Sequence, residues 1–445
     1  MNSFYRSTLL LTIAAFISEC IEFIINIILA RELGEHGMGL YMSILPIIFF
    51  VVVIASIEMP ISISKYIAEK DEKYHHSMLQ HATSFTIKLT FVFILLGFLV
   101  VPFIPVFSDY HPFVRWLVLL LIPIISFSSI ARGYFMGVQG MGKIATSNFL
   151  RKAVQLLVLF SLYQWIHFDM ETSLLVAIST LIASEFIVCT YLFSHYLLQI
   201  RAIRSKHAVS LSAKEVRKSL LSVSLPTTGL RIFNSLTNAV QPFLVKAALI
   251  SAGVSSVAAV EHYGMLAGVA LTIGFFPAFI AHSLMVALIP NVSEAFAKKD
   301  FVQLQKLLQQ AMWITFIYGI PAVYLIFHFA HPLTEMFFQS SSAAFYLQML
   351  WPYFLFHFFV IPMQAYLIGL GLVKDAFYHT VWSHIISFAM MYFLGSMEHF
   401  QMTGIILGMN TGIVLLTLMH YFTICKRIGL SVFLFKNQDQ SINKI

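Results

Sequence analysis

The sequence predicts an all-α, polytopic membrane protein with about twelve transmembrane helices in two six-helix lobes. Its composition, the spacing of its apolar runs and an internal repeat predict this fold class. Of the 445 residues, 59% are hydrophobic and only 11% are charged, and the mean hydropathy is +0.84. An ordinary soluble domain carries roughly 25% charged residues. The composition therefore excludes a soluble globular protein.

Twelve apolar runs are separated by charged connectors. They cover 8–30, 41–62, 82–107, 115–138, 150–167, 172–199, 219–250, 262–289, 310–329, 343–370, 376–394 and 402–424. A transmembrane helix needs about 20 apolar residues, so each run is a candidate span. The first run is too long for the apolar core of a secretory signal and is predicted to be a retained helix. The connectors are too short for a water-soluble catalytic domain.

Basic residues are concentrated on one side of the predicted membrane. Of the 27 lysines and arginines, 21 lie in the N-terminus, alternate connectors and the C-terminal tail. Basic connectors stay in the cytoplasm, so this pattern predicts that both termini are cytoplasmic. The net charge of +7 is thus explained by topology, and we expect no nucleic acid partner.

An internal repeat relates the two predicted lobes. "PISISKYIAEKD" from Pro60 resembles "PNVSEAFAKKD" from Pro290 at an offset of 229, with the two prolines one residue out of register. "GMGKIA" from Gly140 resembles "GLVKDA" from Gly371 at an offset of 231. Six helices per lobe give both halves the same orientation, as in transporters with parallel repeats. A chance match between connectors of similar composition is the alternative. The predicted domains are a lobe at 1–200, a basic cytoplasmic linker at 201–218, a second lobe at 219–425 and a cytoplasmic tail at 426–445.

The cytoplasmic sides of these repeated segments also carry mixed polar and apolar residues. Ser64–Gln80 and Asn291–Gln309 predict amphipathic helices lying at the membrane surface.

Two stripes of polar residues occur inside predicted spans. The first helix carries Glu19, Glu22 and Asn26, and the seventh carries Arg231, Asn234 and Asn238. Within each stripe the spacing is three and four residues, which places the side chains on one helix face. All three positions are related by an offset of 212. The repeat therefore predicts that the stripes face each other across a cleft.

Three interpretations of these stripes remain open. Ionisable residues are costly in a membrane and are functional candidates by default. The stripes could line a translocation cavity, with a glutamate binding a proton or Na⁺ and Arg231 contacting an anionic substrate. Alternatively, Glu19 or Glu22 forms a fixed bridge with Arg231 that holds the halves together. Lipid-facing side chains that reach the membrane interface are the third interpretation.

Other charged residues inside the apolar runs give weaker signals. Glu58 and Arg132 lie near the cytoplasmic ends of the second and fourth helices. They are candidates for a gate at that end, or they simply reach lipid head groups or a neighbouring helix. Glu185, Lys88 and Lys246 are isolated in the sequence and receive no role.

No pattern of catalytic or metal-binding residues accompanies these stripes. The cysteines Cys20, Cys189 and Cys425 lack metal-ligand spacing. "GVQGMGK" from Gly137 nearly matches a phosphate-binding loop, but Ile144 replaces the hydroxyl residue that would hold Mg²⁺, and the segment follows a membrane helix. We therefore expect no cofactor, no metal and no enzymatic activity.

Four segments resemble a known transporter group. They are "ARELGEHGMGLYMSILPI", "EMPISISKYIAEKD", "ARGYFMGVQGMGKIATSNFLRKAVQ" and "LIPNVSEAFAKKD". In this order they resemble the polysaccharide-exporter branch of the multidrug/oligosaccharidyl-lipid/polysaccharide flippase superfamily. The group around stage V sporulation protein B is the most similar.

The resemblance implies two lobes that alternate between inward-open and outward-open states. It also implies an undecaprenyl-linked saccharide as substrate, membrane lipids as surroundings, and wall-synthesis enzymes as candidate partners in wall or spore-envelope synthesis. Arg132 matches an Arg-Gly element of the family. The first helix departs from the lipid II flippases, because those proteins have arginines in this helix and this chain has Glu19 and Glu22.

Three functions are consistent with this sequence. The main hypothesis is an alternating-access flippase for lipid-linked saccharides, driven by an ion gradient through Glu19 and Glu22. The acidic first helix also resembles cation-coupled multidrug exporters of the same superfamily, which are the first alternative. A non-transporting scaffold that recruits synthesis enzymes is the second.

Overall fold

The computed structural model describes residues 2–204, 211–337 and 341–429, and all regular structure in these ranges is helical. The N-terminal part contains α1 Asn2–Ser56, α2 Met59–Glu69, α3 Glu72–Val100, α4 Phe113–Gly137, α5 Met141–Trp165, α6 Met170–Arg204 and α7 Ala213–Ser251. The remaining helices are α8 Ser256–Gly264, α9 Leu271–Phe275, α10 Ala278–Ala297, α11 Phe301–His328, α12 Ala330–Glu335, α13 Ser341–Met349, α14 Trp351–Gly369, α15 Val373–Gly395 and α16 Gln401–Ile428.

All twelve predicted spans fall on helices, which confirms the predicted fold class. Nine helical stretches within the described ranges are long and apolar enough to cross a membrane, and the one from Phe16 to Glu69 contains two predicted spans. The predicted spans at 219–250 and 376–394 lie within α7 and α15, and the predicted span at 150–167 lies on α5 except for its last two residues. The predicted linker includes 205–210 and the predicted tail includes 430–445, and both of these segments are outside the described residues.

Gly34 divides the long helix α1 into two spans. At about 1.5 Å per residue, 55 uninterrupted helical residues would be roughly 80 Å long, far more than the ~30 Å apolar core of a bilayer. Gly34 has φ 67° and ψ −178° inside α1. This conformation is readily available only to glycine. The break separates the predicted runs 8–30 and 41–62.

The chain packs as two compact units. One comprises Arg31–Val240, and the other comprises Met1–Ala30 together with Gln241–Ile445. The first half of α1 is thus assigned to the same unit as the C-terminal helices: Phe16 lies 5.2 Å from Phe279 and Phe23 lies 5.4 Å from Phe337, measured between ring centroids. The predicted lobe boundaries at 200 and 219 remain a prediction.

The helix packing within each unit shows the internal repeat. In the unit 31–240, α4 packs against α2, α3 and α6, and α5 packs against α6. In the C-terminal unit, α14 packs against α10, α11 and α16, and α15 packs against α16. The order α2, α3, α4, α5, α6 therefore corresponds to α10, α11, α14, α15, α16.

Glycine permits close contacts between equivalent helices in both units. A Cβ atom on Gly137 of α4 would lie 2.5 Å from the Cβ of Ile67 in α2. A Cβ atom on Gly369 of α14 would lie 2.7 Å from the Cβ of Val292 in α10. Small residues let membrane helices approach closely, and here they hold equivalent helix pairs together.

Some local predictions are wrong. The run 262–289 is not one helix, because a π-helical turn at 265–270 and a break at Phe276 and Pro277 interrupt it. The runs 41–62 and 343–370 are also interrupted, at 57–58 and at Leu350. The segments 64–80 and 291–309 are also not single amphipathic helices. Each contains a break before an aspartate that begins a new helix, at Asp71 before α3 and at Asp300 before α11. The Asp300 carboxylate accepts a hydrogen bond from the Gln303 backbone N–H at 2.9 Å, a normal N-cap.

Candidate functional site

Glu58 lies at the break between α1 and α2. Ile57 and Glu58 have positive φ values of 39° and 47°, a conformation that is uncommon for residues with side chains. The Glu58 carbonyl accepts the backbone N–H of Ile61 at 3.1 Å, and Pro60 stands in the first turn of α2, where no N–H is needed. This turn buries the Glu58 side chain to 2% exposure. The local sequence thus inserts a carboxylate into the unit 31–240.

Arg231 of α7 is the cationic partner of Glu58. Its Nη1 donates a hydrogen bond to Oε1 of Glu58, and the two residues form an ion pair. The Arg231 side chain is 56% exposed, in contrast to the buried carboxylate. A guanidinium has five N–H donors. The pair therefore neutralises Glu58 and leaves more than half of the Arg231 side chain accessible.

The rest of the predicted α7 stripe is also accessible. Asn234 and Asn238 are exposed, whereas Ser235 and Thr237 between them are buried. Arg231, Asn234 and Asn238 thus form one exposed polar face of α7. This face offers guanidinium and amide donors together, a set that recognises phosphate or sugar oxygens.

The α1 stripe occupies a less accessible position in the other unit. Glu19 and Glu22 are half-buried, and Asn26 is buried. The Asn26 Nδ2 donates to the Glu22 carbonyl oxygen at 3.1 Å, within the helix. Both carboxylates therefore lie on a partly covered helix face, the setting in which a proton or Na⁺ could bind.

Two histidines missed in the sequence accompany Glu19. His282 of α10 lies within electrostatic range of Glu19, and His357 of α14 lies within range of His282. His357 packs on Phe275, with ring centroids 4.6 Å apart. Each histidine is a single polar residue within an apolar run, and this was the only sequence feature that could have marked it as a candidate site residue.

A second charged cluster connects α4, α5 and α6. The Arg151 Nη1 donates to Oε1 of Glu185 at 3.0 Å, and the Glu185 side chain is 14% exposed. Arg132 lies within electrostatic range of both residues. The sequence surroundings of Glu185 suggested an isolated carboxylate, but the structure pairs it with Arg151. Arg132, a predicted gate residue, belongs to this cluster, and the other predicted gate residue, Glu58, pairs with Arg231.

The described residues contain no group of three or more histidine, cysteine, aspartate or glutamate side chains suited to hold a metal ion. The three cysteines are unpaired thiols, with Cys425 buried and the other two half-buried. The candidate site consists of the Glu58–Arg231 ion pair and the exposed amides of Asn234 and Asn238.

Comparison with protein families gives two matches. The model for the family described as polysaccharide biosynthesis protein matches residues 4–296, and the MatE model matches residues 232–393. The chain is 58% identical to sporulation protein YkvU of Bacillus subtilis, covering 98% of both proteins. It is 31% identical to stage V sporulation protein B of the same organism, over 97% of this chain and 85% of that protein.

Solved structures show a related fold. An inward-facing multidrug resistance MATE family transporter of the MOP superfamily aligns with a TM-score of 0.72 and 16% identity, over 92% of this chain and 94% of that one. An outward-facing transporter of that family gives 0.66 and 15% identity, over 95% of both chains. These similarities confirm the resemblance found in the sequence. The chain belongs to the polysaccharide biosynthesis protein family, and its fold is that of the membrane transporters of the MOP superfamily.

Proposed function

We propose that this protein flips a lipid-linked saccharide from the inner to the outer leaflet of a bacterial cell membrane by alternating access. Membership of the polysaccharide biosynthesis family supports the substrate class. The names of the two Bacillus relatives support a place in sporulation. The termini lie in the cytoplasm, as the concentration of basic residues on one side indicates.

The exposed face of α7 carries the proposal. The Arg231 side chain is 56% exposed although one of its guanidinium nitrogens is bonded to Glu58. The phosphate of a lipid-linked saccharide binds guanidinium through two parallel hydrogen bonds, and a carboxylate competes for the same donors. Substrate therefore competes with Glu58 for Arg231, while Asn234 and Asn238 contact the sugar.

This competition links binding to a change of state. A ligand shifts a conformational equilibrium only when it binds the two states differently. When the phosphate withdraws Arg231, the buried Glu58 carboxylate loses its partner, which is unfavourable. The junction between α1 and α2 must then rearrange or take up a proton. The ion pair thus provides a physical connection between substrate binding and movement of α2.

The direct test is translocation of a fluorescent undecaprenyl-linked saccharide in proteoliposomes. Arg231→Ala should abolish translocation, and Arg217→Ala, an exposed position at the start of the same helix, should leave it unchanged. Glu58→Gln removes the competing charge, so the substrate concentration for half-maximal rate should fall. Equal rates for wild type and Arg231→Ala would contradict the proposed role of Arg231.

Glu19 and Glu22 are the proposed coupling residues. Their partly covered carboxylates, with His282 near Glu19, form a site for a proton or Na⁺. The double variant Glu19→Gln, Glu22→Gln should lose ion-dependent transport while remaining folded. Transport that keeps its ion dependence in this variant would refute the coupling role.

A multidrug exporter is the second candidate function. The observation that favours it is the acidic character of the α1 stripe, which suits an organic cation, together with the MatE match over residues 232–393. Efflux of a cationic dye that requires Glu19 and Glu22 but not Arg231 would support the exporter over the flippase.

A further inference from the structure

A groove between α3 and α6 lies outside the candidate transport site. Its volume is about 610 Å³, within the range of ~300–1,000 Å³ typical of ligand pockets. The α3 wall carries His76, Gln80, Ser84 and Lys88 at intervals of four residues, so these polar side chains follow one face of the helix. The groove therefore has a continuous polar wall.

The opposite wall of this groove is largely apolar. Phe193 and Leu197 of α6 line it, and Leu79 and Ile87 add apolar side chains beside the polar positions of α3. Tyr196 closes the space between the helices, with its hydroxyl 3.4 Å from the Thr83 hydroxyl. One wall thus offers hydrogen-bonding groups to a polar head group, and the facing wall covers that head group with apolar side chains.

Lys88 is the residue that indicates the charge of the ligand. Its side chain is exposed into the groove, within the predicted span 82–107. No carboxylate in the described part of the chain lies within ion-pair distance of its ammonium group. A lysine among apolar side chains in a membrane reaches towards the interface and is stabilised by an anion there. The groove therefore provides a cation that needs a counter-charge from outside the chain.

The position of the groove indicates a lipid. His76 lies one turn into α3 and Tyr196 lies near the end of α6, so the groove opens at the helix ends proposed to face the cytoplasm. From His76 to Lys88 the polar wall extends about 18 Å at 1.5 Å per residue. A phospholipid of the cytoplasmic leaflet would place its head group along this wall.

We propose that the α3–α6 groove binds an anionic phospholipid, with its phosphate on Lys88, its head group towards the cytoplasmic end of the groove, and its acyl chains continuing past Phe193 along the exposed Phe91 and Leu95 of α3. Gln80 and Ser84 donate hydrogen bonds to the head group. A lipid bound there would anchor α3 and α6 to the inner leaflet.

The test measures bound lipid on the purified full-length protein by native mass spectrometry. The protein is mixed with equal amounts of phosphatidylglycerol and phosphatidylethanolamine in detergent. One basic residue near a membrane surface contributes about 1 kcal/mol towards anionic lipid, so wild type should prefer phosphatidylglycerol about fivefold. Lys88→Gln should bring this ratio close to one.

The matched control is Lys73→Gln. Lys73 is exposed at the start of the same helix, outside the groove, and is paired with Asp71 at 3.2 Å. Its loss should leave the ratio unchanged. An unchanged ratio for Lys88→Gln, or the same reduction for both variants, would overturn the proposal.

A second pair of variants tests the groove without altering charge. Ser84→Phe should block the groove and lower the bound phosphatidylglycerol, whereas Ser194→Phe, on an exposed position of α6 outside the groove, should not. Displacement of phosphatidylglycerol from wild type by an equal amount of undecaprenyl phosphate would assign the groove to the carrier lipid and refute the phospholipid site. Retention of phosphatidylglycerol would support it.

Discussion

Arg231 of α7 is bonded through Nη1 to Oε1 of Glu58, which is buried at the junction of α1 and α2. The two residues are 173 positions apart in the chain. The bond joins α7 to the turn where α1 ends and α2 begins. Any movement of α7 away from this turn must therefore expose the carboxylate or supply it with another partner.

Loss of Arg231 should destabilise the protein more than loss of Glu58. Arg231→Gln leaves a buried charge without its cation and should lower the free energy of unfolding by about 1–3 kcal/mol. Glu58→Gln leaves a neutral amide beside an exposed guanidinium and should cost less. Thermal unfolding in detergent measures both effects.

The double variant is the control for this interpretation. If the two side chains stabilise the fold through their mutual contact, the Arg231→Gln, Glu58→Gln protein should be more stable than the sum of the single losses indicates. Strictly additive losses would show that the contact contributes nothing to stability.

The sequence could predict the helices but not the ion pairs. Runs of about 20 apolar residues suffice to identify spans, and the spacing of Glu19, Glu22 and Asn26 suffices to place them on one face. Pairing depends on how helices pack in three dimensions. Arg151 and Glu185 are 34 residues apart, and nothing in the local sequence of either indicates the other.

The break between α1 and α2 was also missed, because no local sequence signal marks it. The unusual backbone at Ile57 and Glu58 occurs at residues other than glycine, so composition gives no signal for it. In α1, by contrast, Gly34 lies between two apolar runs, and both the break and its position could be predicted.

Gly137 should tolerate no side chain. A Cβ there would meet the Ile67 Cβ at 2.5 Å and the Ser64 carbonyl oxygen at 2.9 Å, neither of which is the end of a flexible chain. Gly137→Ala should therefore separate α2 from α4 and cost about 1–3 kcal/mol. The midpoint of thermal unfolding should fall.

Gly142 provides the matched position. It lies in the first turn of α5, and a Cβ there would have no neighbour within 4 Å. Because alanine favours a helix over glycine by up to about 1 kcal/mol, Gly142→Ala should be neutral or stabilising. Equal destabilisation by both substitutions would show that the α2–α4 contact is not close-packed.

Glu185 should be the most sensitive member of the charged cluster in α4, α5 and α6. Glu185→Gln leaves Arg132 and Arg151 facing each other without a carboxylate and should cost about 1–3 kcal/mol of unfolding free energy. Arg151→Gln should cost less, since Arg132 remains within range of the carboxylate. Thermal unfolding of the two variants should rank them in this order, and the reverse order would contradict the assignment of Glu185 as the shared counter-ion.

The orientation of the chain can be checked by labelling single cysteines in intact cells. In a background with Cys20, Cys189 and Cys425 replaced by alanine, Lys73→Cys places an exposed thiol at the start of α3, and Asp109→Cys places one beyond its other end. The basic connectors predict that the first position is cytoplasmic and the second external. A membrane-impermeant maleimide should therefore label Asp109→Cys in intact cells and Lys73→Cys only after the cells are opened. The opposite labelling would invert the topology and move the α3–α6 groove to the outer leaflet.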